Sequence, residues 1–359
     1  MLNTSEDAGI AEEYRHFSAK KIVFLAALAV TLVVLCIFTI RLGSTGLTYR
    51  DIIHYLFHPD DSWNSTVIWE IRMPGIVAAL LAGSALGIAG SVMQGILRNP
   101  MASPFTLGLS NASAFGAALA IMFLGAGTVI RSSSTFLTID QPLLVTLFAF
   151  IFAMISIGVI LLLMKAINTS PETIVLAGLA VSAIFSALLA FMQYIADDVV
   201  LSLIVFWQFG SLDKATWDNL KVIFVVLAVI AVYFYAKRWD YNAMEAGEDV
   251  AKGLGVKVQR NMIIGLVASA MLTAIVVSFM GVIGFIGLIG PHMIKRVIGN
   301  DFRYLLPGSM LMGSLVLLLS YVVGSYAFSM SIPVGIITSA IGGPMFIYIL
   351  IRGHRKCSV

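Results

Sequence analysis

The sequence predicts an all-α polytopic membrane protein of about ten transmembrane helices. Three observations carry this expectation: a charge-poor composition, ten apolar runs near spanning length, and a one-sided distribution of Lys and Arg. Of 359 residues, 59% are hydrophobic and only 11% are charged, with a mean hydropathy of +0.97. A soluble domain carries roughly a quarter charged residues. Less than half that share, over so long a chain, leaves too few charges to solvate a globule, so apolar surface must face lipid.

The runs lie at 22–40, 75–97, 104–124, 142–164, 173–195, 217–236, 261–281, 283–298, 304–328 and 333–351. A helix needs about 20 residues to cross the hydrocarbon core, and the eighth run, short and glycine-rich, has the least certain ends. Continuous apolar runs exclude the alternating pattern of a membrane barrel. Residues 1–21 are polar and lack the basic stretch and small-residue cleavage site of a signal peptide, so 22–40 reads as a retained first helix. The predicted organisation is a polar tail at 1–21, a single membrane domain at 22–352 and a tail at 353–359. Cys36 and Cys357 have no disulfide or metal-site spacing.

Orientation follows from the basic residues. With the N-terminus inside and the spans alternating, 16 of the 22 Lys and Arg fall inside, whereas the 19 acids divide 10 to 9. Both termini are therefore expected in the cytoplasm. Four polar segments separate the spans. At 43–71, outside, Thr48 and Asp51 form the ends of a capping box before a short amphipathic helix. Residues 125–141 read as an irregular loop, and the apolar stretch Val199 to Phe209 as a short helix at or dipping into the surface. Inside lies 237–260, the longest polar stretch between spans.

No Asp, Glu, Lys or Arg falls in the central part of any run. Ion-coupled transporters need an intramembrane carboxylate or carbonyls freed by broken helices. The polar groups present, Gln94, Asn111, Gln193 and His292, read as interhelical hydrogen-bonding residues. No phosphate-cradling loop, haem-attachment motif or zinc motif occurs. The glycines of GVIGFIGLIGPH (Gly281, Gly284, Gly287, Gly290) lie in apolar sequence without the lysine of a phosphate loop. Their spacing of three lines one side of a helix and permits close approach, with Pro291 removing one backbone hydrogen bond. Any energy source for transport must come from another chain.

The segment 240–258 is the candidate for receiving it. From Ala243 to Lys252 the residues favour helix apart from Gly247, Glu248 precedes Lys252 by four, and Gly253 and Gly255 stop the helix. Met244, Val250 and Leu254 are apolar and need cover. Either an ordinary loop on the membrane or a short coupling helix fitting a cytoplasmic partner satisfies this pattern.

The segment RMPGIVAALLAGSALGIAGSVMQGILRNPMASPFTLGLSNASAFGAALA (72–120) resembles the signature region of permeases that import iron–siderophores, haem and vitamin B12, the FecCD-type importers of the ATP-binding-cassette (ABC) class. Further matches follow in order at 174–192, 206–212 (FWQFGSL), 243–256 (AMEAGEDVAKGLGV), 281–313 and 332–350. Six pieces in family order cover nearly the whole chain from about residue 40.

The resemblance implies the vitamin B12-importer (type II) permease fold. It also implies a path formed by two permease subunits, here expected as a homodimer, with two cytoplasmic ATPase subunits and an external substrate-binding protein. It places the docking of the ATPase on Met244, Gly247, Glu248, Val250, Lys252, Gly253, Leu254 and Gly255. The fifth and tenth helices (173–195 and 333–351) contribute to the subunit interface, and the fifth lines the translocation path through Ala180, Ser182, Ala183, Ser186, Ala187 and Ala190. So apolar a lining leaves selectivity to the binding protein.

Arg72 matches an arginine that, in the vitamin B12 importer, receives an acidic patch of the binding protein. Two further arginines of that site correspond to Gly75 and about Gly324 here, and a nearby Glu to Ser331; Arg50 or Arg131 are the candidate substitutes. The expected function is thus that of a permease subunit with no ATPase site of its own. Its cargo is a metal chelate (ferric siderophore, haem or corrinoid). This chain binds no metal or cofactor, and ATP and Mg sit on the partner. The expected setting is the plasma membrane of a bacterium or archaeon, with lipid and no nucleic acid as partner. An ion-coupled secondary transporter and an oxyanion (molybdate-like) importer on the same scaffold are the competing readings.

Overall fold

The computed structural model describes residues 4–43, 46–125, 127–130, 136–139, 141–166 and 171–357. In chain order the helices are α1 (Thr4–Arg41), α2 (Tyr49–Phe57), α3 (Trp63–Thr66), α4 (Met73–Ile96), α5 (Leu109–Phe123), α6 (Pro142–Ala166), α7 (Pro171–Ile195), α8 (Asp198–Gln208), α9 (Trp217–Ala236), α10 (Arg238–Ala246), α11 (Glu248–Gly253), α12 (Val258–Met280), α13 (Ile286–Ile298), α14 (Phe302–Tyr326) and α15 (Val334–Cys357). A π-helical turn, Val67–Arg72, joins α3 to α4 into one continuous helical rod. Seven helical stretches among the described residues are long and apolar enough to cross a membrane: α1, the α3–α4 rod, α6, α7, α9, α12 and α14.

The other three expected spans are α5, α13 and α15. At a rise of about 1.5 Å per residue, the 15 residues of α5 and the 13 of α13 fall short of a core about 30 Å thick. Each is preceded by non-helical chain of apolar sequence, 99–108 before α5 and 281–285 before α13. Irregular backbone at that depth is tolerated where protein covers it. Ala102, Leu107, Gly281 and Ile283 are accordingly buried, and the two irregular segments meet where the Phe105 and Phe285 rings lie 5.5 Å apart.

α4 is the hub, buried along nearly its full length and packed against α14, α12 and α13. Its glycines permit this. A Cβ on Gly83 would fall on the Gly313 carbonyl of α14, and one on Gly90 on the Gly287 carbonyl of α13. Close helix approach through small residues supplies the dispersion contacts that hold bundles together in lipid, where burial from water offers no gain between spans. α5 packs on α6 and α7, while α1 touches chiefly α14 and leaves Val23, Val30, Val33 and Val34 exposed.

Aromatic residues mark one end of the bundle. Trp69 donates its indole N–H to the Tyr55 carbonyl at 3.0 Å, Trp217 donates to the Trp69 carbonyl at 3.1 Å, and the two indoles meet tilted, with ring centroids 6.0 Å apart. Such belts sit at a membrane–water boundary. α2 lies here, with the Thr48–Asp51 capping box formed as expected and Ile52 buried beneath it. The expected short helix of the 196–216 segment is α8, N-capped by Asp197.

Several expectations need correction. Within the polar stretch 1–21, helix begins at Thr4 and runs unbroken into the apolar part. Likewise α15 continues through the expected tail to Cys357. Segment 125–141 contains a two-stranded antiparallel hairpin, Gly127–Ile130 paired with Phe136–Ile139, with Gly127 opposite Ile139. Arg131 lies outside the described residues. The glycine series does not line one helix: Gly281 and Gly284 stand in the irregular segment, and helix starts only at Ile286 after Phe285 takes a left-handed turn (φ 65°).

Candidate functional site

The end opposite the aromatic belt carries the segment read as a coupling site. The expected single helix from Ala243 is instead two. α10 begins five residues earlier, at Arg238, and α11 follows after a break at Gly247. Gly247 has φ 135° and ψ 153°, a backbone region essentially confined to glycine, so the chain turns sharply there. α11 ends at Gly253, and Gly255 (φ 79°) carries the chain out into α12.

α10 is bolted to the bundle. Tyr241 is fully buried between Phe234 of α9 and Phe302 of α14, with ring centroids 6.0 and 5.6 Å away. Asn242 donates to the Asp301 carboxylate at 3.1 Å and accepts from the Phe302 backbone N–H at 2.8 Å. Asp301 caps α14 and receives the Arg303 guanidinium at 2.6–3.1 Å. Glu245 accepts from Asn300 at 2.9 Å and faces the Lys295 ammonium at 3.6 Å. On the other flank Asp240 accepts from Lys237 and from Asn261 of α12, both at 2.9 Å. α10 is thereby tied to α12, α13 and α14.

Met244 lies on the buried face of α10, being 3% exposed. α11 is different: among the described residues Val250 stays 50% and Leu254 69% exposed, two of the three apolar residues expected to need cover. Glu248 and Lys252 form the expected pair at 2.8 Å. The hydrogen bond from Lys252 and its charge hold the Glu248 carboxyl below its ordinary value, although both groups stand in solvent, where such a pair is worth little.

Beside α11 opens a cleft of about 810 Å³. Its floor is Ile96, Met164, Met244 and Met262, and its rim carries Arg98, Glu248, Lys252, Lys257 and Arg260. Arg98 was absent from the sequence-derived site. It follows the C-terminus of α4 with φ 45°, its N–H bonding Gly95 and that of Asn99 bonding Gln94. This is the paired closure of a Schellman motif, whose left-handed position is ordinarily glycine. A side chain there costs about 1–2 kcal/mol, so Arg98 occupies a position that backbone preference assigns to another residue.

The residues expected to line a path share one face of α7. Ala180, Ala183, Ser186, Ala187 and Ala190 are exposed, and Ser182 is half-buried, accepting from Asn111 of α5 at 2.8 Å. The opposite face (Ile174, Gly178, Val181, Phe185, Leu189 and Met192) is buried. Gln94, another of the polar groups read as an interhelical tie, reaches the Gly287 carbonyl at 3.5 Å.

At the aromatic end the two arginines part ways. Arg50 is exposed on α2. Arg72 is 5% exposed, its guanidinium donating to the Ile40 carbonyl at the end of α1 and lying against Gly43. The altered positions are closed sterically as well: a Cβ on Gly75 would strike the Tyr321 hydroxyl, and one on Gly324 the Ile332 carbonyl.

The model of the FecCD transport family matches residues 31–352. A Methanocaldococcus jannaschii protein named as an ABC transporter permease is 41% identical over 97% of this chain and 99% of its own. The hemin transport system permease HmuU of Yersinia pestis is 32% identical over 94% and 97%. Among solved structures, one described as a metal-chelate type ABC transporter in an inward-facing conformation superposes with a TM-score of 0.79, at 30% identity. It covers 92% of this chain and 99% of that chain.

Proposed function

The chain belongs to the FecCD transport family, and on that premise we propose that it is the permease subunit of an ABC importer for a metal chelate. Two copies would enclose the translocation path, with α7 of each contributing its small-residue face. Two ATPase subunits would dock on α10–α11 at the basic end, which the positive-inside rule assigns to the cytoplasm. A binding protein would deliver the chelate at the aromatic end. Of the two arginines considered for that docking, Arg50 is the one presented at the surface, whereas Arg72 fastens α1 to α4.

The observation that carries the reading is the pairing of an exposed α11 with an α10 tied into three membrane helices. A partner that grips α11 can move the bundle, which is what alternating access driven by a separate ATPase requires. Rocking would open the path between α7 faces to one side and then the other. The lining of alanine and serine offers a chelate few specific contacts, which leaves selection of ferric siderophore, haem or corrinoid to the binding protein.

The test is reconstitution in lipid with the ATPase and binding protein encoded alongside. Loaded binding protein should stimulate ATP hydrolysis and drive chelate uptake, and Glu248→Lys should abolish both while leaving the permease folded. Uptake driven by an ion gradient without ATP, or uptake untouched by Glu248→Lys, would overturn the proposal. Uptake of molybdate in place of a chelate would move the cargo to the oxyanion class.

A further inference from the structure

The cleft beside α11 is electrically lopsided. Arg98, Lys252, Lys257 and Arg260 stand on its rim against the single carboxylate of Glu248, which is already paired with Lys252. The four cations come from three separate parts of the chain: the end of α4, α11, and the start of α12 with the residue before it. Their convergence is therefore a product of the fold and not a local run of basic sequence. One of them, Arg98, is held there by a backbone conformation that favours glycine.

We propose that this cleft receives an acidic segment of the cytoplasmic ATPase, so that the permease grips its partner by a charged socket beside α11 as well as by α11 itself. The inference rests on the reading of the chain as an ABC permease and adds to it the chemistry of the contact. Its volume, about 810 Å³, is of the size that encloses a few side chains. The methionine floor accommodates an apolar residue beside the carboxylates, since thioethers adapt to irregular shapes. Continuity with the exposed Val250 and Leu254 of α11 makes the ATPase the occupant, because one partner surface would cover both.

Complementary charge across an interface sets the association rate and makes it salt-dependent. The experiment measures the affinity of the full-length permease in nanodiscs for the ATPase subunit encoded beside it. Lipid is either wholly phosphatidylcholine or contains a third phosphatidylglycerol. Lys257→Glu and Arg260→Glu should each weaken binding at least 10-fold at low salt in both lipids, with the loss shrinking as salt rises. Lys20→Glu, an equal charge change on exposed α1, should stay within two-fold.

Arg98→Gly removes the guanidinium and suits the backbone. It should keep or raise the melting temperature while weakening ATPase binding at least five-fold, a combination that a purely structural Arg98 would not give. Binding within two-fold of wild type in the Lys257 and Arg260 variants overturns the proposal. So does an effect seen only with phosphatidylglycerol, which would make the cleft a lipid headgroup site. Failure of the unaltered permease to hold the ATPase at all would instead overturn the permease reading, and the socket with it.

Discussion

At the scale of residues, the decisive contacts are the polar ones that tie α10 to α14. Asn242 serves both the Asp301 carboxylate and the Phe302 N–H, so Asn242→Ala strands the Phe302 N–H and removes one donor from Asp301, which keeps Arg303. Leaving a buried polar group unmatched costs about 1–3 kcal/mol. The expected result is a lower melting temperature together with ATP hydrolysis that persists while chelate uptake falls several-fold. Parallel measurement of the two rates on reconstituted vesicles checks it.

Asp301 adds a pH dependence. Burial alone would raise its carboxyl, but the hydrogen bonds from Arg303 and Asn242 outweigh this and hold it below the ordinary value. A depressed carboxyl contributes stability above the ordinary carboxylate range and loses it as pH falls through the lowered value. Acid melting curves should therefore show a destabilising limb that Asp301→Asn reduces. The Glu248–Lys252 pair was legible in the sequence because a four-residue helical spacing is a local rule. Asn242 and Asp301, 59 residues apart, carry no such signal, and neither does the left-handed Arg98.

At the scale of elements, hydropathy marked the apolar stretches, seven of which are helices long and apolar enough to cross a membrane, but not their breaks. A continuous apolar run reads alike whether it is one long helix or an irregular stretch leading into a short one. The segments before α5 and α13 are therefore visible only in three dimensions. Gly247 is the exception among the helix formers of the coupling segment, yet a glycine there is compatible with either a tolerated residue or a break. Its φ of 135° settles the matter as a break. Gly247→Ala should cost about 1–3 kcal/mol locally and favour one unbroken helix from Arg238 to Gly253, swinging α11 away from the cleft. The chain should still insert and dimerise, because α10's anchors are untouched. Uptake should drop at least ten-fold, and the loss should appear as failure to retain the ATPase on purification. Retention equal to wild type would show that the angle between α10 and α11 is immaterial.

At the scale of the whole molecule, the exposed face of α7 asks what it faces. Leu176 and Tyr194 stand at its two ends, and between them runs a line of exposed alanines, Ala180, Ala183, Ala187 and Ala190, with Leu179, Ile184 and Phe191 exposed beside it. Lipid-facing surfaces elsewhere in the chain are built from large residues, as α1 shows with Val23, Val30, Val33 and Val34 and α9 with Phe224, Val225, Val229 and Val232. A narrow strip of methyl groups, flanked by Leu179 and Ile184, is better suited to a second copy and the passage between them than to acyl chains. The strip can be probed in a variant with Cys36 and Cys357 replaced by serine and Ala187 by cysteine. A membrane-impermeant thiosulfonate should label Ala187→Cys and stop uptake, with labelling faster during ATP turnover as the path opens to water. The matching cysteine at Val229 should stay unlabelled throughout. Equal resistance at both positions would place α7's alanine face against lipid. The pore would then have to be built from other helices, because a thiol shielded by hydrocarbon has no access to a charged reagent.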